Sequence, residues 1–373
     1  MKPGGWEIPV STSLGPAYPV RVGRGVIEEL PLLLERLSPA AMYAVIADDR
    51  VFELHGQKVL SLLSGLGVPV ISETFPHGER NKNRSQWARL TNLLLAGGLG
   101  RDGCILALGG GVTGDLAGFV AATYMRGIPV VQLPSSLVAM VDASVGGKTG
   151  VDVEAGKNLV GSFHPPRFVL ADTDLTATLP RAERSQGLAE AVKHGAILDA
   201  DYLKWIADRS VALLAGDPDP TAELVARSVE IKAEVVAEDE TEAGRRQILN
   251  FGHTLGHALE AASDYELSHG DAVAQGMVLE SRLGERLGIT RPGTTEALIA
   301  VLEAVELPVR VEEAPPADTL IELTSRDKKV RGGSARYVLL KAPGQVDPGT
   351  GWSRDVEAAV VRGLLLDERT EAV

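Results

Sequence analysis

Hydrophobic periodicity changes character near residue 175, and this change constrains the fold more than any other feature of the chain. Before it, short apolar runs alternate with amphipathic stretches. YPVRVG (18–23), MYAVIAD (42–48), PVISETF (69–75), CILALGG (104–110), PVVQLP (129–134) and FVLADT (168–173) predict strands. VIEELPLLLERL (26–37), QKVLSLLSGLG (57–67) and SQWARLTNLLLAGG (85–98) predict the helices between them. Strand alternating with helix implies a parallel sheet with helices on both faces. Beyond the change, segments 182–198, 221–239, 245–262, 271–288, 294–304 and 355–366 carry a 3.6-residue period. ARYVLLKAPGQV (335–346) reads as a strand and turn. The expected organisation is a loose Pro-, Gly- and Ser-rich segment 1–16, an α/β domain 17–178, and a mainly helical domain 179–373.

Composition narrows the function. At roughly 150 residues per domain, 373 residues suit two domains. The 37 basic and 50 acidic residues leave a net charge of −13, which argues against a general nucleic-acid or membrane-surface binder. The single cysteine, Cys104, excludes a disulfide framework and a Cys-rich zinc site. The opening MKPGGWEIPVSTS has no apolar signal region, and no apolar run approaches the ~20 residues that span a bilayer. A cytoplasmic location is the expectation.

Gly109-Gly110-Gly111-Val112-Thr113-Gly114-Asp115 follows an apolar run and opens a helical stretch. It fits G-x-G-x-x-G, where glycines let backbone approach a pyrophosphate at a helix N-terminus. A tight strand-to-helix turn is the competing reading. The loop lies late in the sheet, and the next strand ends in Leu133-Pro134-Ser135-Ser136 without an acid. A second cluster, Ser144 to Gly150, ends like a P-loop, but Asp142 occupies the position of the first P-loop glycine. Lys148, Lys157 and Asn158 still lie among glycines and could cradle an oxyanion. Solvated loop lysines are the alternative.

Arg246, Asn250, His253 and His257 are spaced 4, 3 and 4 apart, as on one helix face where Leu or Ile would ordinarily sit. Gly252 and Gly256 beside them would let another element come close. Three of the 7 histidines (253, 257, 269) fall within 17 residues. Three histidines and a carboxylate suit a zinc-type site with an open position. Spacing alone favours His253 and His257 as ligands; Glu190, which shares a face with Lys193, is a candidate carboxylate.

These residues carry a resemblance. GGGVTGDLAGFVAATYMRG (109–127), LPSSLVAMVDASVGGKTGVD (133–152), GKNLVGSFHPP (156–166), GLAEAVKHG (187–195), LNFGHTLGHALE (249–260), SHGDAVAQGM (268–277) and RDKKV (326–330) occur in the order of the 3-dehydroquinate synthase family. The resemblance covers nearly the whole chain from about residue 18. It implies a nucleotide-binding α/β domain followed by a mostly helical metal-binding domain. It implies NAD and a divalent metal, zinc or cobalt, with Glu190, His253 and His269 as ligands.

By the same resemblance, NAD contacts would come from Asp48, from His77, Gly78, Glu79, Arg80, Asn81 and Lys82, and from Gly111, Val112, Thr113, Gly114 and Asp115. Ser135, Ser136, Lys148, Lys157 and Leu175, Thr176, Ala177 and Thr178 complete that set. The substrate site would draw on Asp142, Lys148, Asn158, Lys193, Lys232, Glu242, Arg246, Asn250, His257, Lys328 and Lys329. Arg126 would reach the partner's site in a homodimer. Three departures from the family pattern stand out: Arg50 for Asn, Ser135-Ser136 for Thr-Thr, and Asp271 for Glu.

The implied reaction converts 3-deoxy-D-arabino-heptulosonate 7-phosphate to 3-dehydroquinate and phosphate. Transient oxidation at carbon 5 would acidify the neighbouring carbon, allow phosphate elimination, and be reversed before an intramolecular aldol closes the ring. A related cyclase acting on another sugar phosphate, such as a valiolone-type or aminodehydroquinate synthase, and a metal-dependent polyol dehydrogenase are the rival readings. The intact Arg-x-x-x-Asn-x-x-His-x-x-x-His stripe favours a substrate carrying a carboxylate.

Overall fold

The computed structural model describes residues 5–311, 315–326 and 335–371. They form two compact units. The first holds the chain up to Leu179 together with Pro218–Glu240; the second holds Pro180–Asp217 and the residues from Thr241 onward. The helix Pro218–Glu238, expected in the second domain, therefore belongs to the first. Its apolar stripe, including Leu224, Val225, Val229, Val235 and Val236, is buried there. A linear boundary cannot express that return of the chain.

The first unit is built on a seven-stranded sheet in the order β1-β2-β9-β6-β5-β3-β4. Its strands are β1 (Trp6–Val10), β2 (Tyr18–Gly23), β3 (Tyr43–Asp48), β4 (Val70–Phe75), β5 (Cys104–Gly109), β6 (Val130–Pro134) and β9 (Val169–Asp172). All pairs are parallel except β1 with β2. The central strand β5 is apolar and buried at every position because both faces of the sheet are covered. In β3, Tyr43, Val45 and Ala47 join the core under the helices Leu30–Leu37 and Gln57–Ser64. Ala44 and Ile46 join the opposite core with the helices Arg84–Ala96 and Gly111–Thr123.

Two expectations need correction here. Residues 1–16 are not uniformly loose: β1 pairs antiparallel with β2 along its length, and Ile8 and Val10 are buried. Pro9 is tolerated because β1 is the sheet's edge. The second glycine cluster is not a simple loop. Lys148 opens β7 (Lys148–Val153), which forms an antiparallel hairpin with β8 (Gly156–Phe163).

The second unit is mainly helical, with helices Arg181–Leu198, Ala200–Asp208, Ser210–Ala215, His253–Ala262, His269–Arg286, Thr294–Ala304, Ala317–Arg326 and Ala358–Glu371. The strand expected over 335–346 is three short pieces, β10 (Arg336–Tyr337), β11 (Leu340–Ala342) and β12 (Gln345–Val346). The single helix expected over 245–262 is broken. A 3-10 segment, Arg245–Asn250, is followed by the helix His253–Ala262, with Gly252 between them at φ 78°. That left-handed conformation suits glycine. A Cβ on Gly252 would also stand 2.9 Å from the Met277 nitrogen. On Gly276 it would stand 2.0 Å from the Gly252 oxygen, so helices 253–262 and 269–286 touch backbone to backbone.

Candidate functional site

In the first unit the chain leaves β3 for β4 at the sheet edge, then returns to β5 on the other side of β3. The carboxyl ends of β3 and β5 thus flank the point where strand order reverses, where open α/β sheets bind ligands. Asp48 ends β3, and Gly109-Gly110 ends β5 and caps the helix Gly111–Thr123. The Thr113 hydroxyl donates to Asp48 Oδ2 at 3.2 Å, and the Val51 amide donates to Asp48 Oδ1 at 2.9 Å. The glycine loop and Asp48 are therefore neighbours. Ser135 donates its amide to the Gly109 carbonyl at 2.9 Å, which brings Ser135-Ser136 beside the same loop.

Segment 77–82 is organised around a turn. Gly78 has φ 97°, the His77 amide and Nδ1 lie 3.1 and 2.8 Å from Asp49 Oδ1, and Asn81 Nδ2 donates to the His77 carbonyl at 2.8 Å. Arg80 is exposed, whereas Lys82 is only 4% exposed. Lys82 Nζ lies 2.6 Å from Glu79, 3.4 Å from Asp115 and 3.7 Å from Asp152. Burial works against its charge, but the three carboxylates outweigh it and raise the ammonium pKa. Gly111, Val112 and Gly114 occupy the first turn of the helix that Asp115 continues. Leu175, Thr176, Ala177 and Thr178 form a 3-10 turn after β9.

Lys232 reaches from the helix Pro218–Glu238 to Asp142, with Nζ 2.9 Å from Oδ1 and 2.5 Å from the carbonyl oxygen. Lys148 is exposed at the start of β7; Lys157 and Asn158 lie at the start of β8. Arg126 is exposed at φ 70°, between Met125 at 46° and Gly127 at 111°. Met125 and Arg126 are the strained pair, since Gly127 takes a positive φ without steric cost.

The second unit gathers Glu190, Lys193, His253, His257 and His269. Glu190 and Lys193, one turn apart on helix 181–198, are both about 1% exposed and form a buried ion pair. Glu190 Oε1 lies 3.4 Å from His253 Nε2 and 3.1 Å from His269 Nε2. One ligand atom from each of Glu190, His253 and His269 can lie within 4.8 Å of the others. The distal nitrogens are occupied. His253 Nδ1 is 3.1 Å from the Phe251 carbonyl, which can only accept, so Nε2 keeps its lone pair. His269 Nδ1 is 3.5 Å from Glu260 Oε1. Both imidazoles thus turn Nε2 toward one carboxylate oxygen, an arrangement suited to a metal ion.

The charges fit that use. Burial opposes ionisation of Glu190, but Lys193 and the neighbouring imidazoles hold its carboxyl well below the usual range. Burial and Lys193 push His253 down to about 3, leaving a neutral donor. His269 is raised because Glu190 and Glu260 overcome its burial, so that corner attracts positive charge. His257 lies edge-on to His253, with ring centroids 5.2 Å apart, and its ring is 6.2 Å from that of His269. His257, Glu260 and His269 form an overlapping group of donors.

The predicted stripe is therefore not one helix face. Arg246, 1% exposed, and Asn250 belong to the 3-10 segment, while His253 and His257 belong to the helix after Gly252. Asn250 Nδ2 donates to Glu242 Oε1 at 2.6 Å, and Glu242 sits at φ 61°. Lys328 and Lys329 lie outside the described residues. Sequence reasoning missed Glu260 and Asp152. Each was signposted: Glu260 follows His257 by three residues, and Asp152 closes the 133–152 motif.

Family models for the N-terminal and C-terminal parts of 3-dehydroquinate synthase match residues 72–186 and 187–330. A 3-dehydroquinate synthase of Symbiobacterium thermophilum is 45% identical over 88% of this chain and 92% of its own. The chain belongs to the 3-dehydroquinate synthase family. One from Caulobacter vibrioides is 42% identical over 94% of this chain and 96% of its own. Among solved structures, 2-deoxy-scyllo-inosose synthase complexed with carbaglucose-6-phosphate, NAD+ and Co2+ superposes with a TM-score of 0.89 at 25% identity, over 97% of this chain and all (100%) of that one. A 2-epi-5-epi-valiolone synthase from Streptomyces hygroscopicus subsp. jinggangensis 5008, with NAD+ and Zn2+ bound, gives 0.86 at 26% identity, over 98% and 100%. A probable glycerol dehydrogenase from Sinorhizobium meliloti 1021 shares the fold alone, at 0.66 and 18% identity over 95% and 96%. Among the described residues, no helix is long and apolar enough to cross a membrane.

Proposed function

We infer that the chain is a 3-dehydroquinate synthase, taking 3-deoxy-D-arabino-heptulosonate 7-phosphate to 3-dehydroquinate and phosphate. The observation that carries the reading is the convergence of Glu190 Oε1, His253 Nε2 and His269 Nε2, beside buried Lys193, in a chain 45% identical to a named 3-dehydroquinate synthase. Glu190, His253 and His269 would hold the divalent metal. Asp48, the 77–82 turn, residues 111–115, Ser135, Ser136, Lys148, Lys157 and the 175–178 turn would hold NAD. When bound, NAD supplies reversible oxidation and the metal supplies Lewis acidity toward a hydroxyl.

The chain's own residues would do the rest. Lys193 and Arg246 are buried cations suited to an oxyanion in low dielectric. Lys148, Lys232, Lys328 and Lys329 are further cations for the phosphate and carboxylate, with Asp142 and Asn158 as polar partners. The Glu242–Asn250 hydrogen bond fixes the amide so that its other groups can meet the substrate. His257, close to the His253 ring but outside the Glu190 contacts, is suited to moving a proton. We further propose a cytoplasmic homodimer in which Arg126 serves the partner's site, supported by its strained, exposed turn.

Substrate choice tests this reading. Purified protein with NAD and zinc should release phosphate from the heptulosonate phosphate and leave glucose 6-phosphate intact. Phosphate release from glucose 6-phosphate alone would assign the chain to another cyclase reaction.

A further inference from the structure

We propose that Asp152 is a positioning residue that locks the 77–82 turn to the β7–β8 hairpin and so holds Lys82 and Asn158 in working register. The inference rests on the assignment above of Lys82 to cofactor and Asn158 to substrate. Asp152 itself need touch neither.

Three observations place it there. The β7–β8 register shifts between Val151 and Val153: Asp152 alone lies opposite Lys157, Asn158 and Leu159, so the irregularity puts its extra residues on the Asn158 side of the hairpin. Bulges re-aim side chains. Next, the backbone of Asp152 pairs outside its own hairpin: its amide donates to the Lys82 carbonyl at 2.7 Å, and it bridges in parallel to Asn83. Finally, the side chain reaches both elements. Oδ1 accepts the Asn158 amide at 2.8 Å and lies 3.7 Å from Lys82 Nζ.

The contact with Asn158 has a specific consequence. Asn158 sits at φ 54°, a conformation that non-glycine residues adopt at a cost of roughly 1 kcal/mol or more. A charge-assisted bond to its amide offsets that cost and fixes where the side chain leaves the backbone. The contact with Lys82 is electrostatic. Glu79 and Asp115 also face that ammonium, so Asp152 steers it rather than supplying its sole counter-charge. Burial raises the Asp152 carboxyl to about 6 against the pull of Lys82, so at neutral pH the anion is present for both contacts.

The test compares Asp152→Ala and Asp152→Asn with Lys82→Ala and Asn158→Ala. NAD affinity is measured by calorimetry, KM and kcat for the heptulosonate phosphate by phosphate release, and folding by thermal melting. Asp152→Ala should weaken NAD about tenfold and raise KM about tenfold, since both anchors are lost. Asp152→Asn keeps an oxygen for the Asn158 amide but no charge for Lys82; it should restore KM while NAD binding stays weak. A purely structural residue would lower the melting temperature and leave the folded protein's affinities unchanged. Asp152→Ala within twofold on both constants, while Lys82→Ala loses NAD, overturns the inference and spares the site assignment. Unchanged NAD affinity in Lys82→Ala as well removes the cofactor assignment, and the inference with it.

Discussion

Glu280 presents the sharpest structural prediction. It is fully buried on helix 269–286 and accepts three backbone N–H groups at the start of helix 253–262. Gly252 donates at 2.8 Å, Thr254 at 3.0 Å and Leu255 at 3.2 Å. Helix N-termini leave such donors without intrahelical partners, and the helix dipole adds favourable positive potential. Replacing a buried charge with an apolar group can be neutral when its partner is removed too. Here the partners are backbone and remain. Glu280→Ala orphans three buried donors at ~1–3 kcal/mol each, with entering water limiting the sum, so about 3–5 kcal/mol should be lost. Glu280→Gln keeps one acceptor and should lose about 1–3 kcal/mol. Urea unfolding followed by tryptophan fluorescence measures this, with Trp205 and Trp352 reporting the second unit. Amide exchange at Thr254 and Leu255 should quicken roughly 100-fold in Glu280→Ala. A stability within about 1 kcal/mol of the parent would refute the reasoning, because the carboxylate would then not be what satisfies this helix end.

Other expected outcomes follow from the same geometry. Glu190→Ala and His269→Ala should emerge from purification depleted of metal, with affinity down at least ~10–100-fold, while His257→Ala keeps its metal and loses turnover; metal content by mass spectrometry decides, and the reverse pattern would favour the ligand pair that spacing alone suggests. Mixing Arg126→Ala chains with Lys193→Ala chains should restore part of the activity through hybrid dimers, and a fully active monomer in sedimentation would exclude the shared site. Glu240 binds the segment after β1 through the Ser13 amide and hydroxyl at 2.5 and 2.7 Å and the Leu14 amide at 3.2 Å. Burial opposes its charge, but the Thr12 hydroxyl and these donors hold its carboxyl below the ordinary glutamate range, so the tether is intact above that range and fails as pH falls through the lowered value. Protection of the Ser13 and Leu14 amides should therefore persist at pH 5 and vanish under stronger acid; protection that declines already between pH 7 and 5 would contradict this.

What was legible in the sequence was what local pattern determines. The central strands could be read because burial on both faces leaves uninterrupted apolar runs such as Cys104-Ile-Leu-Ala-Leu. The hairpin β7–β8 was hidden because its glycines, which let the strands approach, look like loop residues: a Cβ on Gly161 would stand 2.2 Å from the Thr149 oxygen. Helix 245–262 was overextended because the heptad-like spacing of Arg246, Asn250, His253 and His257 continues across Gly252 while the backbone does not. The family resemblance nominated Glu190, His253 and His269, where spacing alone pointed to His253 and His257. Pairings remote in sequence were out of reach: Glu280 acts on donors 25 to 28 residues away, and Lys232 meets Asp142 across 90. Such pairings arise from tertiary packing, not from local periodicity.

The most direct test of the central claim follows phosphate and NADH together in one reaction of purified protein, heptulosonate phosphate, zinc and NAD well below substrate concentration. One phosphate should appear per substrate consumed, over many turnovers of each NAD, with no lasting absorbance at 340 nm. NADH accumulating in step with substrate loss, without phosphate, would contradict the account and identify a polyol dehydrogenase instead.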